Sequence, residues 1–179
     1  AQANIQYALL VQRSGRGDSL MEFDSNGAEA DTPRSVMRIA NFTALQPQTS
    51  PDNEAASGNN ASTYFRGNSD TTLINGVIST PNNECIRMNG TGTTPATLTA
   101  RSVALQCNAT KYLGTGAYSA TQVGTFFGTG ANNNNDGFTA SFTSLFINGA
   151  NETAIVATNP TTFSSYFDAT TYVGAVRDA

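Results

Sequence analysis

Short strand-sized segments recur along this chain with similar residues around them. This repetition constrains the fold more than any other feature. Three apolar segments, at residues 20–23, 63–66 and 85–88, each lead into a turn rich in Gly, Asn, Asp and Ser. Three further segments follow them, at residues 39–43, 73–77 and 100–104. Strand-sized runs that repeat every few tens of residues predict a solenoid, in which each coil buries one face against the next.

The composition predicts an all-β chain of one domain. Charged residues make up only 12% of the 179 residues, about half the usual share. Thr and Asn replace them, and β-branched and aromatic side chains fit strands while Asn and Gly fill turns. We expect coils over residues 1–113 with a long polar surface loop at 46–61, and a carboxy-terminal cap over 114–179. Within that cap, residues 124–130 are predicted to be a loop and residues 138–147 a strand.

The charge and the apolar runs exclude two classes of partner. The net charge is −4, and the nine basic residues are scattered, so the chain lacks the Lys/Arg-rich face that nucleic acid requires. No stretch reaches the roughly 20 consecutive apolar residues of a membrane span. The chain also has no His, so general acid–base catalysis would fall to Asp, Glu, Lys or Tyr, or to an Arg held near a bound cation. This favours a non-enzymatic role without deciding the question.

The two cysteines, Cys85 and Cys107, are separated by about the length of one coil. Residues one coil apart stack about 4.8 Å from each other across a parallel ladder, within the Cα range of a disulfide. We expect a disulfide between them, and the alternative is two buried free thiols. A zinc site is excluded because no His and no further Cys could complete a tetrahedron. A disulfide would imply an oxidising compartment.

Acidic and basic residues concentrate between positions 18 and 38, and this stretch is the candidate ligand site. In Glu22-Phe23-Asp24 the alternation would place both carboxylates on one face of a strand, with Phe23 turned into the core. Oxygen ligands spaced in this way could hold Ca²⁺; otherwise no cofactor is expected. The alternative is a solvated outer face. The candidate ligand residues are Asp18, Glu22, Asp24, Asp31 and Arg34, with Glu29 and Arg38 beside them.

Two segments carry a resemblance to a known group of proteins. Residues 4–12, with the acids at 22 and 24 and residues 33–35 and 39–43, resemble a stretch of uncharacterised secreted bacterial proteins, often labelled hypothetical or lipoprotein. The ending Tyr172-Val173-Gly174-Ala175-Val176-Arg177-Asp178 is similar to a segment near the carboxy terminus of the same group. The resemblance implies a right-handed parallel β-helix, a pectate-lyase-like solenoid. Relatives carry further coils before the first segment and a Trp-containing tail after the second. We therefore expect this chain, which starts at Ala1 without Met, to be the carboxy-terminal portion of a longer protein.

Together these features predict an exported bacterial protein, extracellular or on the outer cell surface, with a structural or interaction role. Residues 1–11 would present an uncapped strand edge, so we expect a homo-oligomer or assembly with other surface chains. The alternative function is a carbohydrate-binding or polysaccharide-cleaving β-helix that uses the acidic cluster, a hypothesis that rests on fold analogy. Exposed aromatic residues would stack on the glycan, although such residues more often pack in the core or the cap; the candidates are Tyr64, Phe65, Tyr112, Tyr118, Phe126 and Phe127.

Overall fold

The computed structural model describes residues 2–25, 27–50, 61–92 and 94–178. Within these residues eight strands form two four-stranded sheets, in which every neighbouring pair is parallel. The long-strand sheet has the order β1 (Gln2–Val11), β3 (Ser35–Leu45), β5 (Ser69–Ser79) and β7 (Thr97–Gln106). The short-strand sheet has the order β2 (Met21–Phe23), β4 (Thr63–Phe65), β6 (Ile86–Asn89) and β8 (Tyr112–Thr115). Successive strands of the chain therefore alternate between the two sheets.

Short helices follow the strands. Helix α1 spans Ala120–Phe127, helix α2 spans Ala150–Thr153, and a 3₁₀ turn spans Pro160–Thr162. Ser119 caps the amino terminus of α1. Its hydroxyl accepts from the Gln122 amide, while the Gln122 side chain accepts from the Ser119 amide, which makes a capping box. No helix among the described residues is both long enough and apolar enough to cross a membrane.

The prediction of an all-β, right-handed parallel β-helix is wrong. The described residues form two parallel sheets together with short helices, an α/β-like arrangement. Each of the six recurring segments overlaps a strand, so the error concerns how the strands and the residues after 114 are assembled. The predicted loop at 124–130 is also wrong, because α1 continues to Phe127 and buries Val123 and Phe127 against the core. Residues 138–147 form no strand, and only one isolated bridge joins Thr143 to Ile147. Of the predicted loop at 46–61, residues 51–60 lie outside the described residues.

The main core lies between the two sheets. Its largest fully buried side chains include Phe42, Leu73 and Leu105 from the long-strand sheet and Phe65 and Ile86 from the short-strand sheet. The opposite face of the long-strand sheet is covered by residues that come late in the chain. Phe138 and Val173 pack there on Val77, while Phe167 packs on Ile74. The segment after α1 therefore returns across the outer face of the sheet.

A column of left-handed residues crosses the long-strand sheet. Tyr7, Asn41, Asn75 and Ser102 have φ of 64°, 50°, 51° and 54°, and the ladder register is interrupted at each of them. Asn adopts this conformation more readily than most residues. Because the column interrupts the alternation of the strand, Ile39 and Phe42, three residues apart, both face the core between the sheets.

Candidate functional site

The two acids of β2 are bridged by one arginine. Arg66 Nη1 lies 3.5 Å from Glu22 Oε1 and 3.1 Å from Asp24 Oδ2. Parallel pairing brings Phe23 beside Phe65, and their rings stack with centroids 5.5 Å apart, so Arg66 follows directly next to Asp24. Partial burial lowers the pKa of the Arg66 guanidinium, but Asp24, Tyr64 and Glu22 more than offset this and leave that pKa raised. Arg66 thus compensates much of the charge of the predicted carboxylate pair.

The other candidate ligand residues do not join this pair. Arg34 Nη2 lies 3.0 Å from Asp70 Oδ1 and donates to the Pro95 carbonyl at 2.8 Å. Asp31 accepts from the Asn68 side-chain amide through its main-chain oxygen. Asp18 lies in the exposed turn after β1, where its main-chain oxygen accepts from the Gln46 side-chain amide. Among the described residues no three Asp, Glu, His or Cys side chains are grouped to hold a metal ion.

Sequence reasoning missed the partners Arg66 and Asp70, although the repeat contained the signal for Arg66. When Phe23 is aligned with Phe65, Arg66 occupies the position that corresponds to Asp24 one repeat earlier. Opposite charges at equivalent positions of adjacent parallel strands predict a cross-strand ion pair.

The predicted disulfide between Cys85 and Cys107 is present, with a Cα–Cα distance of 5.4 Å. Cys85 is fully buried within the core between the sheets. A disulfide indicates an oxidising, extracellular environment.

Most of the aromatic residues considered for glycan stacking are unsuited to it. Phe65 and Phe127 are fully buried, and Tyr64 is nearly so, covered by the Arg87 guanidinium at 4.2 Å from its ring centroid. Tyr112 donates to Asp136 Oδ2 at 3.0 Å, and burial together with this carboxylate raises the pKa of its phenol. These rings therefore serve packing and hydrogen bonding.

The outer edge of β1 is the most prominent exposed feature of the sheets. No strand in the described part of the chain pairs with it, since β1 bonds only to β3. The Gln12 amide donates to the Leu45 carbonyl, so strand alternation directs the amides of Ala8 and Leu10 toward β3 and those of Leu9 and Val11 toward the open edge.

The side chains along this edge are apolar and exposed. Ile5, Tyr7, Leu9 and Val11 are exposed by 39%, 44%, 38% and 46%. The strand Gln2–Val11 contains no charged residue and no proline. Natural edge strands are commonly blocked by Lys, Pro or a covering element, and β1 has neither kind of blocking residue.

The opposite edge of the same sheet is covered. The β7 amides of Ser102 and Leu105 donate to the carbonyls of Asn132 and Asn135, at 3.0 and 2.8 Å. The Val103 amide donates to the Asn134 side chain at 2.9 Å. Helix α1 lies next to this end, where Phe127 closes the core. Within the described residues the two edges of the long-strand sheet therefore differ: residues 132–135 cap β7 between Ser102 and Leu105, and the outer edge of β1 is open.

The left-handed column holds the carboxy-terminal segment against the sheet. Asn75 donates to the Thr158 carbonyl at 2.7 Å and accepts from the Thr158 amide at 2.8 Å. Asn41 donates to the Tyr172 carbonyl at 2.8 Å. At β1 the corresponding residue is Tyr7, whose hydroxyl donates to Asp168 Oδ2 at 3.3 Å. Partial burial and the Asp168 carboxylate raise the pKa of Tyr7. The open strand is thereby anchored on its outer face.

A surface cleft of about 480 Å³ lies between the Asn-rich turn at residues 132–135 and α2. Asn133, Asn135, Phe138, Asn151 and Val156 contribute to its wall. Two of these amides are engaged within the protein, because Asn151 donates to the Thr139 carbonyl and Asn135 accepts from the Gly137 amide. These two side chains therefore stabilise the surrounding loops.

The described residues thus form a domain of two parallel sheets. In its long-strand sheet one edge is capped and the other is open. Comparisons with protein-family models, with curated proteins and with solved structures find no match to this chain. The functional argument therefore rests on the geometry described above.

Proposed function

We propose that this protein is a non-catalytic interaction module of the cell exterior, which binds another polypeptide by adding it as a strand along the outer edge of β1. The observation that carries the proposal is the open, uncharged and unblocked edge of a ten-residue strand. Strand addition satisfies main-chain groups through hydrogen bonds, while side chains on either face supply specificity.

The edge offers both parts of such a contact. The amides of Leu9 and Val11 point outward, and the exposed side chains of these two residues form an apolar surface on the outer face. Burial of an apolar side chain contributes about 1.5–3 kcal/mol, so a partner strand with apolar residues at alternate positions is favoured. The partner is expected to be an extended, β-branched or aromatic segment with little charge.

The strand is held in place before any partner arrives. β1 bonds to β3 along its inner edge, and the Gln6 side chain accepts from the Asp168 amide at 2.8 Å and donates to the Asp168 carbonyl at 3.0 Å. A prearranged strand loses less conformational freedom on binding than a flexible one. The carboxylates Glu22 and Asp24, by contrast, are paired with Arg66, which supports a non-catalytic role for that end.

A peptide-display selection tests the proposal without a known partner. A library of random dodecapeptides would be selected on the protein and, in parallel, on Leu9→Pro, in which proline removes an edge amide that makes no bond to β3. The matched control is Leu9→Thr, which keeps the amide and a strand-favouring side chain. We expect β-type peptides to be enriched on the protein and on Leu9→Thr and lost on Leu9→Pro. Equal enrichment on all three proteins, or none on any, would contradict strand addition at this edge.

A further inference from the structure

We infer that the cleft between the turn at residues 132–135 and α2 is a binding site for a neutral oligosaccharide. Its volume of about 480 Å³ lies within the range of roughly 300–1,000 Å³ that is usual for ligand pockets. Its walls come from residues 130–139 and 151–156, and β1 contributes to neither wall. The inference therefore concerns a second surface and goes beyond the strand addition proposed above.

Buried polar groups hold both walls of the cleft in place. On the side of the turn, the buried side chain of Asn134 accepts from the Val103 amide of β7 at 2.9 Å. On the side of α2, the fully buried carboxylate of Glu152 accepts from the Ser141 amide at 2.8 Å and from the Gly149 amide at 2.9 Å. A ligand that enters a preformed cleft does not have to order its walls, which reduces the entropic cost of binding.

Hydrogen bonds within the walls orient two amides and leave one polar atom of each unused. Asn135 Oδ1 accepts from the Gly137 amide at 2.9 Å, so its Nδ2 has no partner among the described residues. Asn151 Nδ2 donates to the Thr139 carbonyl at 2.9 Å, which joins the two walls and leaves Asn151 Oδ1 without a partner there. The exposed Asn133 amide and Thr139 hydroxyl likewise make no hydrogen bond within the described part of the chain. The cleft thus combines donors and acceptors, and a sugar hydroxyl both donates and accepts.

The described lining of the cleft carries no charge, and the charged groups near it are engaged elsewhere. Asp136, which lies in the turn sequence, is paired with Lys111 at 3.2 Å. Arg101 lies close by, because its Nη1 donates to the Ala100 carbonyl that also accepts from Asn134, but Arg101 does not line the cleft. A charged ligand would lose hydration here without gaining a compensating charge. The lining therefore favours a neutral ligand.

The apolar part of the cleft is small and aliphatic. Ile155 and Val156 lie beside the amides, where they offer a surface for the C–H groups of a sugar ring. Phe138 also lines the cleft but is only 8% exposed, so its ring is not open for stacking on a sugar. Binding must then depend on hydrogen bonds, and we expect a dissociation constant in the millimolar range.

Heteronuclear NMR of the isotopically labelled protein tests the site directly, because the side-chain amides of Asn133, Asn135 and Asn151 give their own signals. The probes are the neutral tetrasaccharides of starch, cellulose and chitin, each titrated to about 20 mM, and the anionic tetrasaccharide of pectin. We expect at least one neutral probe to shift these signals saturably, and the anionic probe to leave them unchanged. No shift with any neutral probe, or equal shifts with the anionic one, would overturn the inference.

Two variants show whether the polar atoms of the cleft make the contact. Thr139→Val removes the hydroxyl and keeps the shape of the side chain, and Thr121→Val on the exposed surface of α1 is the matched control. Asn133→Gly removes the amide, and glycine readily adopts the φ of 59° at this position. Each cleft variant should raise the dissociation constant by roughly threefold to tenfold, and the control should not change it. Unchanged binding in both cleft variants would overturn the inference.

The outcomes also separate this inference from the proposed function. Leu9→Pro, which blocks the β1 edge, should bind the saccharide as the wild-type protein does. If the selected β-type peptides shift the signals of the cleft and the saccharides do not, the cleft is a peptide site and the inference is overturned. If the peptide selection fails while a neutral saccharide binds, the proposed function falls and the saccharide site stands.

Discussion

The contact between Phe42 and Gly76 offers the sharpest test of the pairing between β3 and β5. The two residues face each other in the parallel register, and the fully buried Phe42 ring lies over Gly76. A Cβ atom added at Gly76 would lie 2.0 Å from Phe42 Cε1 and Cζ. The glycine is therefore required by the close approach of the ring.

The expected energies follow from this geometry. Gly76→Ala forces the ring to move within a filled core, which costs about 1–3 kcal/mol in the free energy of unfolding. Phe42→Ala leaves a cavity and costs about 3–5 kcal/mol. In the double variant the new methyl group occupies space that the ring has left. We expect its stability to equal or exceed that of Phe42→Ala, which corresponds to an interaction energy of about 1–3 kcal/mol.

Urea unfolding of the four proteins, followed by circular dichroism, measures this cycle. Gly137→Ala is the matched control, because the nearest atom to its added Cβ is Asn135 Oδ1 at 3.7 Å. Its effect should stay within about 0.5 kcal/mol. If the penalties of Gly76→Ala and Phe42→Ala simply add in the double variant, Phe42 does not lie over Gly76 and the register is wrong.

Three further predictions concern other parts of the molecule. Reduction of the Cys85–Cys107 disulfide, which spans 22 residues, should lower the free energy of unfolding by about 3 kcal/mol, and an unchanged urea midpoint under reductant would contradict it. Asn75→Ala should be less stable than Asn75→Gly by about 1–2 kcal/mol. Both variants lose the bonds to Thr158, but only alanine is strained at a φ of 51°. Equal stabilities of the two variants would count against the left-handed column. Burial and the Asp136 carboxylate raise the pKa of Tyr112, so the folded state retains a proton that the unfolded state releases, and stability should fall as the pH rises above about 10. Tyr112→Phe should show a shallower fall in alkaline urea titrations, and identical slopes would refute this coupling.

Local pattern made the strands and the disulfide predictable. A run of apolar residues between turn formers indicates a strand, whichever strand it pairs with in the sheet. All six recurring segments accordingly overlap strands. The spacing of Cys85 and Cys107 depends on the length of one repeat, and it predicted their disulfide correctly.

Contacts between distant parts of the chain were not predictable in this way. Helix α1 has the capping box of Ser119 and Gln122 as a local signal, but its glycine and threonines favour a loop, and burial of Val123 and Phe127 outweighs that preference. Arg66 became the partner of Glu22 and Asp24 because sheet pairing placed it there. The bonds of Asn41 to Tyr172 and of Asn75 to Thr158 join residues 131 and 83 positions apart, so no local pattern indicates them.

The sequence by itself determined that the six recurring segments are strands, that the two cysteines pair and that β1 is uncharged, since each of these depends on neighbours along the chain or on a fixed repeat length. Only the tertiary structure decided that one sheet edge is capped and the other is open. That difference depends on where residues 132–138 and α1 come to lie, and their position follows from burial against β7. The same burial leaves β1 as the edge at which we propose strand addition.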